Sequence, residues 1–437
     1  MNHGAFTETL MNTMPRGRVY VWAPGPGGTL GGSVMASIEP LARLDREGEG
    51  RGRLWGRHVR VRNGGEVNEP RPANRGVRSV PIGDASPNQE GDFVFEPGRG
   101  GGRLDKVVLP DADLRWRYIQ ASHFGEVNTY FHLDRIAAYV NDLLRQLGCA
   151  PLPRVTAVVH AHHAVTEKDG IRDGVRGTRS GRWLPLQGGH YRLPSRRYDV
   201  SEFQPLSPEG EIHLGPGWQL LRHGALVAAV GCSYWGNASH NAAILYHEYG
   251  HHIMRHTADV RANALRPPHR QSNRKVAIDE GTADYWAAAM LGTPHIWAWH
   301  RRHDDQEVHP RSLSSPTTMA DYDSSPQADP HSNGTIWAAA LWDLRTRLTA
   351  LHAEGARLAD LLVLKTLVLI GQITGLRREG DVENLRHARA SYENGLAALV
   401  HADELLNAGR NREAILVSFG KRGIHPTWFG SFHGLLD

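Results

Sequence analysis

The feature that most constrains this chain is a short polar run, His247-Glu248-Tyr-Gly-His251, set inside an apolar segment. Residues four apart on an α-helix lie on one face, so the two histidines can present their imidazoles to a single metal ion. Glu248 then reaches a water on that metal without taking a coordination position. The neighbouring residues 242–245 and Ile253 are apolar, which predicts a buried helix. Burying two imidazoles and a carboxylate without partners is costly, and a metal removes that cost. The run therefore predicts a metal site, although a chain with 26 histidines can also match it by chance on an exposed helix.

A second, acidic segment supplies a third ligand. A catalytic zinc ion normally has three protein ligands and one open position. Residues 278–286 read Ile-Asp-Glu-Gly-Thr-Ala-Asp-Tyr-Trp, which places Glu280 and Asp284 on one face of the next predicted helix. We predict that Glu280 binds the metal, and that Asp284 accepts the distal N–H of a ligand histidine and fixes its tautomer. An exposed acidic helix face is the alternative interpretation.

These two segments, HEYGHH from residue 247 and DEGTADYW from residue 279, resemble the zinc motifs of the thermolysin-like metallopeptidases, the gluzincins. Within that group they look most similar to the fungalysin type. A third segment, DPHSNGTIWAAALW from Asp329, is similar to a helix start of this family that carries a histidine, and the resemblance covers residues 115–425. It implies a zinc-dependent metalloendopeptidase acting on peptides or proteins, with Zn²⁺ as the cofactor. Ca²⁺ is a further ion that such a protein can hold, and the sequence does not show whether this one does.

The resemblance also implies roles for single residues. Glu248 would act as the general base, and His331 would stabilise the tetrahedral intermediate of peptide hydrolysis. Asp329 is expected to orient His331 because the two are close in sequence. The run that begins at Ser201 resembles the family's edge strand, which pairs with substrate. Ser201 and Phe203 stand there, where the family usually has an asparagine-alanine-aromatic run.

The order of the elements predicts the fold class. Strand-like segments come first and helical segments later, which indicates an α+β architecture. The resemblance refines this to a two-lobed, thermolysin-like zincin domain. We predict three parts: a β/coil segment rich in Gly, Pro and Arg at 1–112, an N-terminal catalytic lobe with the HExxH helix at 113–256, and a helical C-terminal lobe at 257–437.

The expected elements follow from periodicity and from turn residues. Some disorder is expected around residues 64–90, where Gly, Pro, Arg and Asn are frequent. Strands are predicted at 18–22, 58–61, 155–160 and 211–214, and helices at 128–147, 239–256, 276–291, 332–352, 357–374, 382–407 and 410–421.

Composition excludes several other classes. The formal net charge is only +4, and the early arginines alternate with Gly, Val and Trp, so we interpret them as solvated strand faces and do not expect nucleic-acid binding. The most apolar run, 361–370, is short and contains Lys365, which predicts a buried helix and no membrane span. The two cysteines lack the spacing of a cysteine-based zinc site. We expect a monomer. Family resemblance favours secretion, although the first residues do not read as a signal peptide.

Two rival hypotheses remain open. An aminopeptidase of the same zinc class would need an acidic group for the substrate amine, and no GxMEN-like run is present. A catalytically silent binding protein with this fold would not need Glu248 or the complete set of ligands.

Overall fold

The structure is a computed structural model that describes most of the chain. The described residues are 14–23, 33–70, 77–97, 112–166, 170–173, 182–185, 188–192, 207, 209–216, 219–222, 225–228, 237–258, 277–296, 311–325, 328–376 and 388–426. Strands dominate the first part of this set and helices the second, so the predicted α+β class is confirmed.

The described strands form one mixed sheet and several small antiparallel ones. The strands are β1 (Arg16–Ala23), β2 (Ser33–Pro40), β3 (Val59–Asn63), β4 (Glu66–Pro70), β5 (Val77–Pro81), β6 (Val155–Val159), β7 (His162–Thr166), β8 (Gly170–Asp173), β9 (Arg182–Pro185), β10 (Gly189–Arg192), β11 (Glu211–Leu214), β12 (Gln219–Arg222) and β13 (Ala225–Ala228). The four-stranded sheet has the order β10-β11-β6-β3, with β6 parallel to both of its neighbours and β10 antiparallel to β11. The pairs β1-β2, β4-β5 and β12-β13 and the triplet β8-β7-β9 are antiparallel.

The hairpin of β4 and β5 corrects the disorder that was expected around residues 64–90, for the described residues 64–70 and 77–90. Its strands pair in register from Glu66 opposite Pro81 to Pro70 opposite Val77. Directly after the hairpin, Ile82 is buried against Tyr118. Residues 71–76, between the two strands, lie outside the described residues, and an apolar contact with a distant helix follows the second strand.

The longest helix, α1, runs over Ala112–Gln146 and starts well before the predicted residue 128. Its first turns have no clean apolar periodicity, which is why the sequence pattern missed them. Side chains along α1 bind to neighbouring elements: Asn128 accepts from the Tyr20 amide at 2.9 Å, and His132 donates from Nε2 to the Tyr20 carbonyl at 2.8 Å. His132 is buried, and burial lowers its pKa to about 3.

The later helices lie close to their predicted positions. They are α2 (Ala242–His256), α3 (Ala277–Leu291), α4 (Pro330–Leu351), α5 (Gly355–Leu376), α6 (Ala388–Asn407) and α7 (Arg412–Gly420). Helix α6 begins at Ala388, and the predicted start at residue 382 lies outside the described residues. None of the described helices combines the length and the hydropathy needed to cross a bilayer.

A buried carboxylate ties three of these helices to the end of α1. Asp360 on α5 accepts from the hydroxyls of Tyr139 and Tyr285, both at 2.6 Å, and from Arg345 Nε at 3.2 Å. Asp360 is 1% exposed, so its charge needs a partner inside the protein. Arg345 provides that partner as an ion pair.

The described residues divide into two compact units. The first unit contains the residues up to 138 and those from 153 to 245. The second unit contains residues 139–152 and those from 246 onward, except for 298–305, which belong to the first. The three-part division at 112/113 and 256/257 stays a prediction.

Candidate metal centre

The polar run of the sequence lies on α2, in the second compact unit. Asn241 caps the start of this helix, since its side-chain oxygen accepts from the Ala243 amide at 2.9 Å. His247, Glu248 and His251 are all buried. The alternative of an exposed helix face is therefore wrong.

Helix α3 approaches α2 backbone to backbone. A Cβ atom added at Gly250 would lie 2.6 Å from Ala283 Cα, so only a glycine in the middle of the polar run permits this distance. Close approach at this point brings the first turns of α3, with Asp279, Glu280 and Asp284, to the two imidazoles. Glu280 and Asp284 are completely buried, which contradicts an exposed acidic face.

The three atoms predicted to bind a metal form a nearly regular triangle. His247 Nε2 lies 3.2 Å from His251 Nε2 and 3.2 Å from Glu280 Oε2, and His251 Nε2 lies 3.5 Å from Glu280 Oε2. Ligand atoms bound at 2.0–2.2 Å in a tetrahedral zinc site are about 3.3–3.6 Å apart. The triangle thus has the edge lengths of one face of such a site.

The hydrogen bonds of the two Nδ1 atoms determine which form of each imidazole faces the triangle. His247 Nδ1 lies 2.7 Å from Asp284 Oδ1, and His251 Nδ1 lies 2.9 Å from Asp279 Oδ1. A carboxylate can only accept, so each Nδ1 carries the proton in the neutral ring and each Nε2 keeps its lone pair. Two lone pairs and a carboxylate oxygen then face one another at about 3 Å, an arrangement that a divalent metal stabilises. Two nitrogen ligands and one oxygen ligand suit zinc chemically.

His331 lies beside the triangle, on the first turn of α4. Asp329 caps this helix: its Oδ1 accepts from the His331 amide at 3.0 Å and lies 2.8 Å from His331 Nδ1. His331 Nε2 lies 3.2 Å from Glu280 Oε2, and the candidate ligand atoms of His247, Glu280 and His331 are all within 4.8 Å of one another.

His251 and His331 therefore compete for the role of third ligand. The side chains of His247 and His251 are 10% and 5% exposed, whereas that of His331 is 32% exposed. We favour His251 as the ligand because it completes the triangle from inside the protein. His331 then faces the open side, where a substrate would arrive.

Arg311 is a residue of this site that the sequence analysis missed. Its Nε and Nη2 atoms donate to the two carboxylate oxygens of Asp284, both at 2.8 Å, and Nη2 lies 3.4 Å from His247 Nδ1. It belongs to no motif, and it is 27 positions from Asp284 in the sequence, so no local pattern could have found it.

The charges of the site shift its pKa values in a consistent way. Burial raises the pKa of Asp284, but Arg311 and His247 outweigh burial and hold it below its ordinary value. Burial lowers the pKa of His247, and the carboxylates of Asp284 and Glu280 reverse this and raise it. Burial dominates at His331 and lowers its pKa.

The strand predicted to pair with substrate begins at Ser201. Ser201 and Phe203 lie outside the described residues, so their proposed contact with substrate stays a prediction.

A helix carrying HExxH, followed by a helix with a glutamate and an aspartate four apart, defines the gluzincin class of zinc-peptidase folds. The comparison with known families agrees with this class. Residues 13–426 match the family model of the fungalysin metallopeptidases (M36), and the chain belongs to that family. The match begins about a hundred positions before residue 115, so the family extends into the first part of the chain, where the sequence motifs gave no sign of it.

Individual relatives are distant. The chain is 25% identical over 194 residues to extracellular metalloproteinase 2 of Arthroderma gypseum, a match that covers 42% of this chain and 30% of the relative. It is 24% identical to the protein of the same name from Arthroderma otae, with the same coverage of 42% and 30%, and 23% identical over 208 residues to that of Phaeosphaeria nodorum, with 44% and 32% covered. The matched region thus spans about a third of the length of these relatives.

Proposed function

We propose that this protein is a zinc-dependent metalloendopeptidase that hydrolyses peptide bonds in peptides or proteins. His247, His251 and Glu280 would hold the zinc ion, and Glu248 would be the general base. The observation that carries this proposal is the triangle of two Nε2 atoms and one carboxylate oxygen, with edges of 3.2, 3.2 and 3.5 Å. Membership in the fungalysin family supports the same activity.

The chain's own residues supply the proton transfers. Zinc, when bound by these residues, would supply Lewis-acid chemistry for a water and for the scissile carbonyl. Glu248 follows the first ligand directly on α2, so its carboxylate can take the proton of that water and deliver it to the leaving amine. His331, on the exposed side, would donate a hydrogen bond to the negative charge that develops on the substrate oxygen.

Three carboxylates would hold these groups in place. Asp284 and Asp279 fix the tautomers of His247 and His251 through their Nδ1 atoms. Asp329 orients His331 in the same way, at 2.8 Å. Arg311 in turn holds Asp284.

The remaining assignments follow the family. We propose that Ser201 and Phe203 lie on the strand that pairs with substrate, and that the enzyme acts as a monomer. Relatives named extracellular metalloproteinases favour secretion of this protein as well. The family resemblance also suggests a Ca²⁺ site.

Two substitutions test the proposal together. Glu248→Gln should keep stoichiometric zinc and lose nearly all hydrolysis of casein, because the amide cannot accept the water proton. His247→Ala should lose the zinc itself, measured by elemental analysis. Glu413→Gln, the same change at an exposed glutamate of α7, is the matched control and should behave as wild type.

Casein hydrolysis by wild type should stop with phenanthroline. Unchanged turnover in Glu248→Gln would remove Glu248 from the mechanism, and a wild-type chain that binds zinc without cleaving any peptide would favour a silent binding protein.

A further inference from the structure

Each of the two candidate histidine ligands is hydrogen-bonded through Nδ1 to its own carboxylate on α3. The two carboxylates differ in their surroundings. Asp284, behind His247, is completely buried and receives two hydrogen bonds of 2.8 Å from Arg311. Its negative charge is therefore largely offset by a cation in direct contact. Asp284 thus accepts from His247 Nδ1 while Arg311 offsets part of its charge.

Asp279 lies behind His251 and is more exposed than Asp284. Its side chain is 18% exposed, and its Oδ1 lies 2.9 Å from His251 Nδ1. In the part of the chain that the structure describes, no lysine or arginine lies within ion-pair distance of Asp279.

The position of Asp279 follows from the helix that carries the ligand. It precedes Glu280 in the first turn of α3, so the same helix start delivers a metal-binding carboxylate and a supporting one. Water reaches His251 and Glu280 poorly, because their side chains are 5% and 0% exposed. Poor access to water weakens screening, so a nearby charge acts strongly on a bound dication.

We propose that Asp279 is a positioning residue that sets the zinc affinity of this centre through its negative charge. This inference rests on the proposed function, since it assigns His251 to the metal. The carboxylate holds the Nδ1 proton of His251, which makes Nε2 a stronger donor to the metal. It also adds a negative charge that no lysine or arginine of the described residues contacts. Removing such a supporting partner typically weakens metal binding about 10- to 100-fold.

The test separates the charge from the hydrogen bond. Asp279→Asn keeps an oxygen that can accept from His251 Nδ1 and removes the charge, while Asp279→Ala removes both. Asp321→Asn makes the same change of charge at an exposed side chain that binds Thr318, and it serves as the control. Zinc affinity is measured on the full chain, stripped of metal, by competition with a chromophoric chelator. The thermal unfolding of each metal-free variant is measured in parallel.

We expect Asp279→Asn to bind zinc at least 10-fold more weakly than wild type, with an unfolding temperature in the metal-free state close to that of wild type. A merely structural role would instead lower the stability of the metal-free chain and leave the affinity unchanged. Zinc affinity of Asp279→Asn within twofold of wild type would overturn the inference, even if Asp279→Ala binds weakly, because the charge would then be irrelevant. A wild-type chain that binds no zinc would overturn the proposed function and this inference with it.

Discussion

Replacing Gly334 by alanine tests whether the close crossing of α3 and α4 places His331 at the site. A Cβ atom at this position would lie 2.8 Å from the Ala277 carbonyl oxygen, 2.8 Å from the Gly281 amide nitrogen and 3.1 Å from Glu280 Cβ. Two of these three are backbone atoms, which cannot rotate out of the way. Ordinary contact begins at 3.4 Å, so α4 must retreat by about 0.6 Å, the difference between 3.4 and 2.8 Å.

Two opposing effects decide the stability of Gly334→Ala. In an open helix interior, glycine to alanine gains about 0.5–1 kcal/mol. Overpacking costs about 1–3 kcal/mol, so we expect a net loss of about 1–2 kcal/mol. The distance of 3.2 Å between His331 Nε2 and Glu280 Oε2 should widen with the retreat. A displacement of 1 Å at a reacting group can cost about 100-fold in rate, so this smaller one should cost roughly 10-fold.

Zinc content, unfolding and activity should respond differently to this substitution. The three proposed ligands lie on α2 and α3, which are held together at Gly250, so the variant should keep its zinc. Urea unfolding of the metal-free protein gives the stability, and peptide hydrolysis gives the rate. Gly420→Ala is the control, because the nearest atom to its new Cβ would be His425 Cε1 at 3.6 Å, an ordinary contact. If Gly334→Ala proves more stable than wild type and equally active, the close approach of the two helices is refuted.

Three further predictions address other parts of the molecule. His251→Ala should lose zinc and His331→Ala should retain it, and elemental analysis showing the reverse would make His331 the ligand. Asp360→Asn should destabilise the protein by about 3 kcal/mol in urea unfolding, because Arg345 loses its buried charged partner; an unchanged midpoint would contradict this. Acidification should weaken the unit that contains His132, whose pKa falls to about 3 on folding. Between an unfolded pKa near 6.5 and the folded pKa of about 3, only the unfolded state takes up the proton, which costs up to about 1.4 kcal/mol per pH unit. His132→Gln, which can still donate to Tyr20, should flatten this slope, and an equal slope in both proteins would disprove the assignment.

The sequence predicted the helical part of the fold well and the first part less well. Helices α2, α3 and α4 start within a few residues of their predicted positions, because each is a long run of mostly buried, largely apolar residues bounded by polar or loop-forming segments. The β4-β5 hairpin was expected to be disordered because of its Gly- and Pro-rich composition, whereas Ile82, directly after it, packs against Tyr118, 36 positions further on. Helix α1 likewise begins 16 residues earlier than its apolar spacing predicted. In both cases, contacts between distant segments supply the stability that local periodicity does not show.

The sequence by itself determined which atoms are candidates for the metal, because helix periodicity alone sets His247 and His251 on one face and Glu280 and Asp284 on another. Only the tertiary structure decided how these faces meet. Glycine at position 250 lets two helix backbones approach until the Nε2 and Oε2 atoms are 3.2–3.5 Å apart. The same packing pairs Asp279 with His251 and brings in Arg311 from a segment without any motif. Spacing along a helix is a local property of the chain, whereas the neighbours of a side chain depend on how whole helices pack.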